Sequence, residues 1–305
     1  VRPFGIAGIQ MYLKPDPSNI ETMRHRLDLL MHLYPWVQMV MFSELAPCGP
    51  LLKYAQTMPG PAEESFQEMA ARHRIWLLPG SMFERHGGAI YNTASVINPQ
   101  GKVIGRYRKL FPFYPFESGV AAGNEFLVFD VDSIGRFGVS ICYDMWFPET
   151  TRTLTSMGVE VILHPVLTHT IDRDVEVSMA HATAAMFQCY VFDINGLGTG
   201  GNGRSCVVDP SGRFLHRSSV NEEFIPIEID LEQVQRQRTN GLMGGLGQSL
   251  KSFRDREVDF TVYDRHAWDH PYLQSLGPLI QHKRGSSAMP EKPASGSPHK
   301  SKGHA

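Results

Sequence analysis

Short apolar runs alternate along this chain with stretches whose apolar residues recur every three or four positions. Phe4–Met11 (FGIAGIQM), Val37–Phe42 (VQMVMF) and Ile75–Phe83 read as strands. Asn19–Leu33 sets Ile20, Met23, Leu27, Leu30 and Met31 at helical spacing, with Ser18 placed to cap it, and Pro61–Arg74 reads as a second helix. This strand–helix–strand–helix rhythm predicts an α/β domain. Hairpins then break in. Ala94–Ile97 and Val103–Tyr107 flank the turn Asn98-Pro99-Gln100-Gly101, and Phe126–Val131 and Phe137–Ile141 flank Asp132–Arg136. Beyond Cys142, Pro148 is placed to open a helix, Val159–Leu163 reads as a strand and Val175–Gln188 as a helix. Tyr190–Ile194, Cys206–Val208, Arg213–Arg217 and Phe224–Ile229 read as strands, with the turn Asp209–Gly212 between the middle two, and a short helix follows at Leu231–Arg238.

Helices and hairpins are thus mixed through one continuous unit. A single domain over residues 1–284 is expected, with a C-terminal extension from about residue 240. Residues 285–305 are rich in Ser, Gly, Pro and Lys; they bury too little apolar surface to offset their ordering entropy, so a disordered tail is expected. The glycine-rich Gly196–Gly203 lacks the Lys-Ser/Thr ending and the strand-turn-helix setting of a phosphate loop, and reads as a flexible turn.

Composition narrows the class. Of 305 residues, 42% are hydrophobic and 20% charged, as in ordinary soluble proteins, and the net charge is -2 without a long basic run ahead of the tail, which argues against nucleic acid as a partner. No run of 18 apolar residues predicts a membrane span. The first residues lack a charged leader with an apolar core, so the expected location is the cytoplasm; with valine at position 1, a start that is trimmed or internal to a longer sequence is expected. Cys48, Cys142, Cys189 and Cys206 form no CxxC pair, and none of the 13 histidines falls in a ligand motif such as HExxH, so neither a metal nor a cofactor is expected.

Three reactive side chains stand at strand ends: Glu44 after VMFS, Lys109 after the strand closing near Tyr107, and Cys142 after GVSI. Loops at strand ends are where α/β proteins gather reactive groups. Taken singly, each has a plain reading, a core thiol or a solvated charge. Their settings, FSELAPCG, YRKLFPFYPFE and SICYDMWFPE, change that. In type and in order they resemble the glutamate, lysine and cysteine signatures of the nitrilase, or carbon–nitrogen hydrolase, superfamily. The Cys-Tyr-Asp then Phe-Pro-Glu pattern resembles its amidase-like branch, and Asn195-Gly196 and RSCVVDPSGRFL extend the resemblance over roughly residues 3–265.

The resemblance implies a four-layer α-β-β-α sandwich of two mixed sheets, and a homodimer or higher homo-oligomer formed near the helix that starts at Pro148. It implies that Cys142 is the nucleophile, Glu44 the general base and Lys109 the oxyanion-stabilising cation. Glu117, eight residues after Lys109, matches a second glutamate that positions substrate in many relatives. The implied reaction is hydrolysis of a small amide to acid and ammonia through a thioester. The alternatives are an N-carbamoyl hydrolase, a nitrilase, or a catalytically silent binding module of the same fold.

Tyr143, Trp146, His164 and Phe113 are the expected substrate-binding residues; His164 and His169, near the expected pocket rim, are read as substrate-contacting or structural rather than as metal ligands. Nitrile-cleaving relatives carry Cys-Trp-Glu where this chain has Cys142-Tyr143-Asp144. Relatives acting on ω-amides carry arginine where it has Trp146, so a substrate carboxylate is disfavoured. Phe111, Phe113, Tyr114 and Phe116 crowd the lysine loop, packing it or favouring an apolar acyl group. Cys48, in a Pro/Gly loop, reads as a spectator thiol.

Overall fold

Apolar runs without alternation become central strands, because such strands are covered on both faces. The computed structural model describes residues 3–114, 116–263 and 271–279. They divide into two compact units, Val1–Phe113 with Gly119–Arg256, and Tyr114–Ser118 with Glu257–Ala305. In the second, the described elements are the 3-10 turn Thr261–Tyr263 and the helix Pro271–Ser275. The tail expected from residue 285 lies outside the described residues.

The first unit holds two large mixed sheets. In one, Pro3–Gln10 lies between antiparallel Glu223–Asp230 and parallel Met39–Phe42; Trp76–Leu78 follows in parallel, then antiparallel Ala89–Ile97, which also pairs with Met82–His86 and Val103–Arg108. In the other, Gly135–Val139, Val161–Val166 and Tyr190–Asn195 run parallel, with antiparallel Val128–Val131 on one side and Cys206–Val208 then Phe214–Arg217 on the other.

Strand alternation sorts the side chains into layers. Phe4, Ile6, Met39 and Met41 of the first sheet pack with Phe137, Val139, Val161, Leu163 and Phe192 of the second, so the sheets lie face to face. Within that layer Trp76, Phe129, Phe137 and Phe4 form a row of rings with centroids 5.5–5.7 Å apart, each such pair adding about 0.5–1.5 kcal/mol beyond its buried area. The opposite faces meet helices. Ala7, Ile9, Val40 and Phe42 pack on α1 (Asn19–Leu33) and α2 (Pro61–His73). Ile162, Val191 and Val208 pack on α3 (Pro148–Ser156) and α4 (Arg173–Phe187). The architecture is the expected α-β-β-α sandwich. The sheets approach closely at Gly8, where a Cβ would fall 2.2 Å from Ile194 Cδ1. Then come α5 (Leu231–Asn240), which the pattern predicted, and α6 (Ser249–Asp255), which it did not. No helix among the described residues is long and apolar enough to cross a membrane.

Three local readings change. Ser18 occupies the N-cap position of α1 but makes no side-chain cap bond, because its backbone is already helical at φ -62°, ψ -14°. The strand expected over 75–83 is two strands, Trp76–Leu78 and Met82–His86. They part at Gly80, whose φ of +78° suits glycine and whose added Cβ would strike Ser43 O at 1.9 Å. The glycine-rich turn is paired rather than free: Leu197–Gly198 and Gly201–Asn202 are antiparallel strands, and Tyr12–Leu13 adds a third.

Candidate active site

Period-two alternation along Val103–Arg108 assigns its side chains. Arg106 and Arg108 point to one face, where each pairs with a carboxylate through two nitrogens, Arg106 with Glu63 at 2.8 and 2.6 Å and Arg108 with Glu84 at 2.8 Å twice. Tyr107 and Lys109 point to the other, and both are 1% exposed. Lys109 Nζ donates to Glu44 Oε1 at 2.8 Å, and Asn92 Nδ2 donates to the same oxygen at 2.8 Å. The two loops are fixed by backbone bonds. Glu44 N–H donates to Val166 O across the sheets at 3.2 Å, Lys109 N–H donates to Asn92 O at 2.8 Å, and Gly123 N–H donates to Lys109 O at 2.8 Å.

Cys142 opens a 3-10 turn, Cys142–Trp146, directly after the second sheet's strand, with φ +45°. A non-glycine residue there costs about 1–3 kcal/mol and persists only when its surroundings hold it. Asp144 does the holding. Its Oδ2 accepts from Ile141 N–H at 2.9 Å and from the Tyr107 hydroxyl at 2.7 Å, and its Oδ1 accepts from Phe111 N–H at 2.8 Å. Tyr107 and Phe111 sit two residues to either side of Lys109, so one buried carboxylate ties the cysteine turn to the lysine loop.

The electrostatics follow from burial. The Cys142 thiol is pushed well above its ordinary range, first by burial and then by the Glu44 carboxylate, with Lys109 opposing. The resting sulfur is therefore a thiol. Burial also lifts Asp144 to about 6, against the opposing Tyr107 bond and Lys109 charge. Behind the sulfur, the Thr168 hydroxyl lies 3.9 Å from Sγ and donates to Glu176 Oε1 at 3.1 Å. Asn195 holds Thr168 in place, accepting from its N–H and donating to its carbonyl, both at 2.9 Å.

The aromatic residues group on the turn. The Tyr143 ring lies 4.8 Å from Phe113 and 5.9 Å from Trp146, and Phe111 stacks on Phe147 at 3.6 Å. His164 is placed elsewhere. It is buried within the second sheet, its Nδ1 donating to Ser140 O at 3.0 Å and its Nε2 facing Asp193 Oδ2 at 3.8 Å, so its ring is engaged by protein rather than presented at a rim. Cys48 is buried, its thiol pushed up to about 11, which suits a spectator. Glu117 belongs to the second unit. Among the described residues no three His, Cys, Asp or Glu side chains group to hold a metal ion. Asn92, Thr168 and Glu176 escaped the sequence reading, though a polar Asn amid the apolar strand YNTASVI is a visible signal.

Asp144 and His164 make opposed contributions to pH-dependent stability. Asp144 titrates near 3.8 when unfolded and about 6 when folded, so its contribution is full below 3.8 and is lost as pH rises through 6. His164 falls from 6.5 to about 4 because burial outweighs Asp193; its contribution is full above 6.5 and is lost as pH falls through 4. The two slopes offset each other between pH 4 and 6. Asp144→Asn is expected to steepen acid destabilisation over that window and His164→Gln to flatten it, each relative to wild type, in urea midpoints measured against pH. Parallel profiles for all three proteins would refute the assignment.

Fold and site together define a class: an α-β-β-α protein that buries a thiol beside a carboxylate–ammonium pair at the strand ends of two facing sheets. Residues 19–239 match the carbon–nitrogen hydrolase family. The chain belongs to that family, the nitrilase superfamily, and is a carbon–nitrogen hydrolase. It is 31% identical over 228 residues to a nitrilase of Pyrococcus abyssi, covering 67% of this chain and 81% of that one. It is 26% identical to a human omega-amidase, covering 68% and 77%, and 30% identical to a 2-oxoglutaramate amidase of Bacillus subtilis, covering 56% and 68%. The fold is also that of a carbon–nitrogen hydrolase from Helicobacter pylori, at TM-score 0.74 and 22% identity over 87% of this chain and 99% of that one. A Saccharomyces cerevisiae member of the nitrilase superfamily superposes at TM-score 0.72 and 24% identity, covering 78% and 94%.

Proposed function

We propose that the enzyme hydrolyses the amide of a small molecule to a carboxylic acid and ammonia, with Cys142 as nucleophile. The observation that carries the reading is the buried Glu44–Lys109 pair, joined at 2.8 Å, beside a thiol held in its protonated form. Such a thiol needs a general base, and a carboxylate is at hand. Glu44 takes the Cys142 proton as sulfur attacks the carbonyl carbon. Negative charge forms on the carbonyl oxygen, stabilised by Lys109 and by the backbone N–H of Tyr143. Glu44 returns the proton to the departing amine, the C–N bond breaks, and a thioester remains. Water then gives a proton to Glu44 and its oxygen to the acyl carbon, releasing acid and thiol. Glu117 assists in positioning substrate, a role drawn from the resemblance, and Tyr143, Trp146 and Phe113 bound the acyl group. We further assign the enzyme to the cytoplasm, as a homodimer or a larger homo-oligomer.

The test is ammonia release across aliphatic and aromatic amides, N-carbamoyl amino compounds and nitriles, with mass spectrometry of the quenched enzyme. Release from amides together with an acyl mass on the Cys142 peptide is expected. Release from nitriles or N-carbamoyl compounds alone would replace the amidase reading with one of its alternatives.

A further inference from the structure

The groups behind Cys142 do not balance in charge. Arg173 is fully buried; its Nη1 lies 3.3 Å from Glu176 Oε2, and its Nη2 donates to Asp193 Oδ1 and, at 3.0 Å, to Arg204 O. One guanidinium thus faces two carboxylates. The other neighbour, His164, is held neutral at pH 7 by burial. With both carboxylates ionised this set carries one net negative charge, and Glu44 is paired with Lys109 at 2.8 Å. Within the set Glu176 is the outermost group, its side chain 11% exposed against 0% for Arg173 and 1% for Asp193. Thr168 and Cys142 are each 8% exposed, and one hydroxyl, that of Thr168, separates the sulfur from the Glu176 carboxylate.

We propose that Glu176 sets the charge of the substrate, so that the site takes amides whose non-reacting end carries an ammonium or guanidinium and rejects their carboxylate counterparts. The assignment rests on Cys142 being the nucleophile. A cation bound past Thr168 completes the missing partner of the Arg173 cluster; a second anion there meets Glu176 at low dielectric, where like charges repel far more strongly than in water. The raised pKa of Glu176, caused by burial against the partial relief from Arg173, is the state such a cation would reverse. Glu176 is a specificity-determining residue in this account, with no part in bond breaking.

Two readouts test it. Cys142 is labelled with methanethiosulfonates bearing a trimethylammonioethyl, a sulfonatoethyl or a methyl group, and followed by peptide mass spectrometry in wild type and in Glu176→Gln. The cationic reagent is expected to react at least about tenfold faster than the anionic one, and Glu176→Gln to shrink that ratio by about tenfold. In parallel, ammonia release is measured from 5-aminopentanamide, pentanamide and the monoamide of glutaric acid. The same order, cationic over neutral over anionic, is expected, with the ratio again collapsing in the variant. Cys142-dependent turnover of pentanamide without a cationic preference, or a preference that Glu176→Gln leaves intact, overturns this proposal and spares the amidase reading. Silence on all three amides with the labelling preference intact overturns the amidase reading and supports the electrostatic assignment.

Discussion

Cys142→Ala is expected to lower kcat by about a million-fold on the best amide, since removal of a covalent nucleophile costs about that much where it has been isolated. The expectation depends on sulfur rather than on folding. The Cys142 sulfur meets the Thr168 hydroxyl only at 3.9 Å, and the turn around it is held by Asp144, which the substitution leaves in place. Alanine at φ +45° is strained much as cysteine is, so stability changes by no more than about 1 kcal/mol, the value of one small buried group. The other thiols give the contrast. Cys48 is pushed up to about 11 by burial and the Asp16 charge, Cys189 to about 12 by burial against the Arg238 charge, and Cys206 is raised chiefly by burial. Alanine at each should leave kcat near wild type. Single-turnover assays with unfolding curves on all four variants check this. Wild-type turnover in Cys142→Ala would remove the nucleophile from the mechanism.

The placement of Glu44, Lys109 and Cys142 at strand ends was legible because Glu44 and Cys142 close apolar runs and Lys109 closes an alternating one, and a strand's end is visible in one-dimensional pattern. Sheet layering was legible for the same reason: runs such as VQMVMF leave no solvent face. What connects these residues was not. Asn92 reaches Glu44 across 48 positions, and Asp144 reaches Tyr107 across 37, so their roles exist only once the sheets stack. Pattern also misplaced His164. It follows the strand VIL, which suggests a rim, yet the strand Val161–Val166 continues through it and turns the ring inward onto Ser140. At Ser18 composition pointed to a cap, but the backbone enters the helix one residue early and the hydroxyl has no N–H to accept from. Local rules hold where the backbone decides locally, and they fail where tertiary bonds do.

Arg173→Met is expected to cost about 3–5 kcal/mol of stability, as when one member of a buried ion pair is removed and its partners remain. The guanidinium has no exposed surface and serves three acceptors, Asp193 Oδ1, Glu176 Oε2 and Arg204 O. Methionine fills much of the volume, so the loss arises from stranded charge. Arg136 is the control: it also binds its partner, Asp130, through two nitrogens, but the pair is 43% and 59% exposed, and Arg136→Met should cost no more than about 1 kcal/mol. The pH dependence separates stranded charge from poor packing. Burial already raises Glu176, and Arg173 opposes that rise. Without the guanidinium the folded pKa climbs further, and a raised carboxyl favours the fold at low pH and loses that contribution as pH rises through it. The deficit of Arg173→Met should therefore be smaller at pH 5 than at pH 8, roughly, within the range where such a carboxyl titrates. Adding Asp193→Asn should recover part of it at the higher pH. A deficit equal at both values, and untouched by Asp193→Asn, would mean that packing alone is lost and that the net negative charge assigned behind Cys142 is not there.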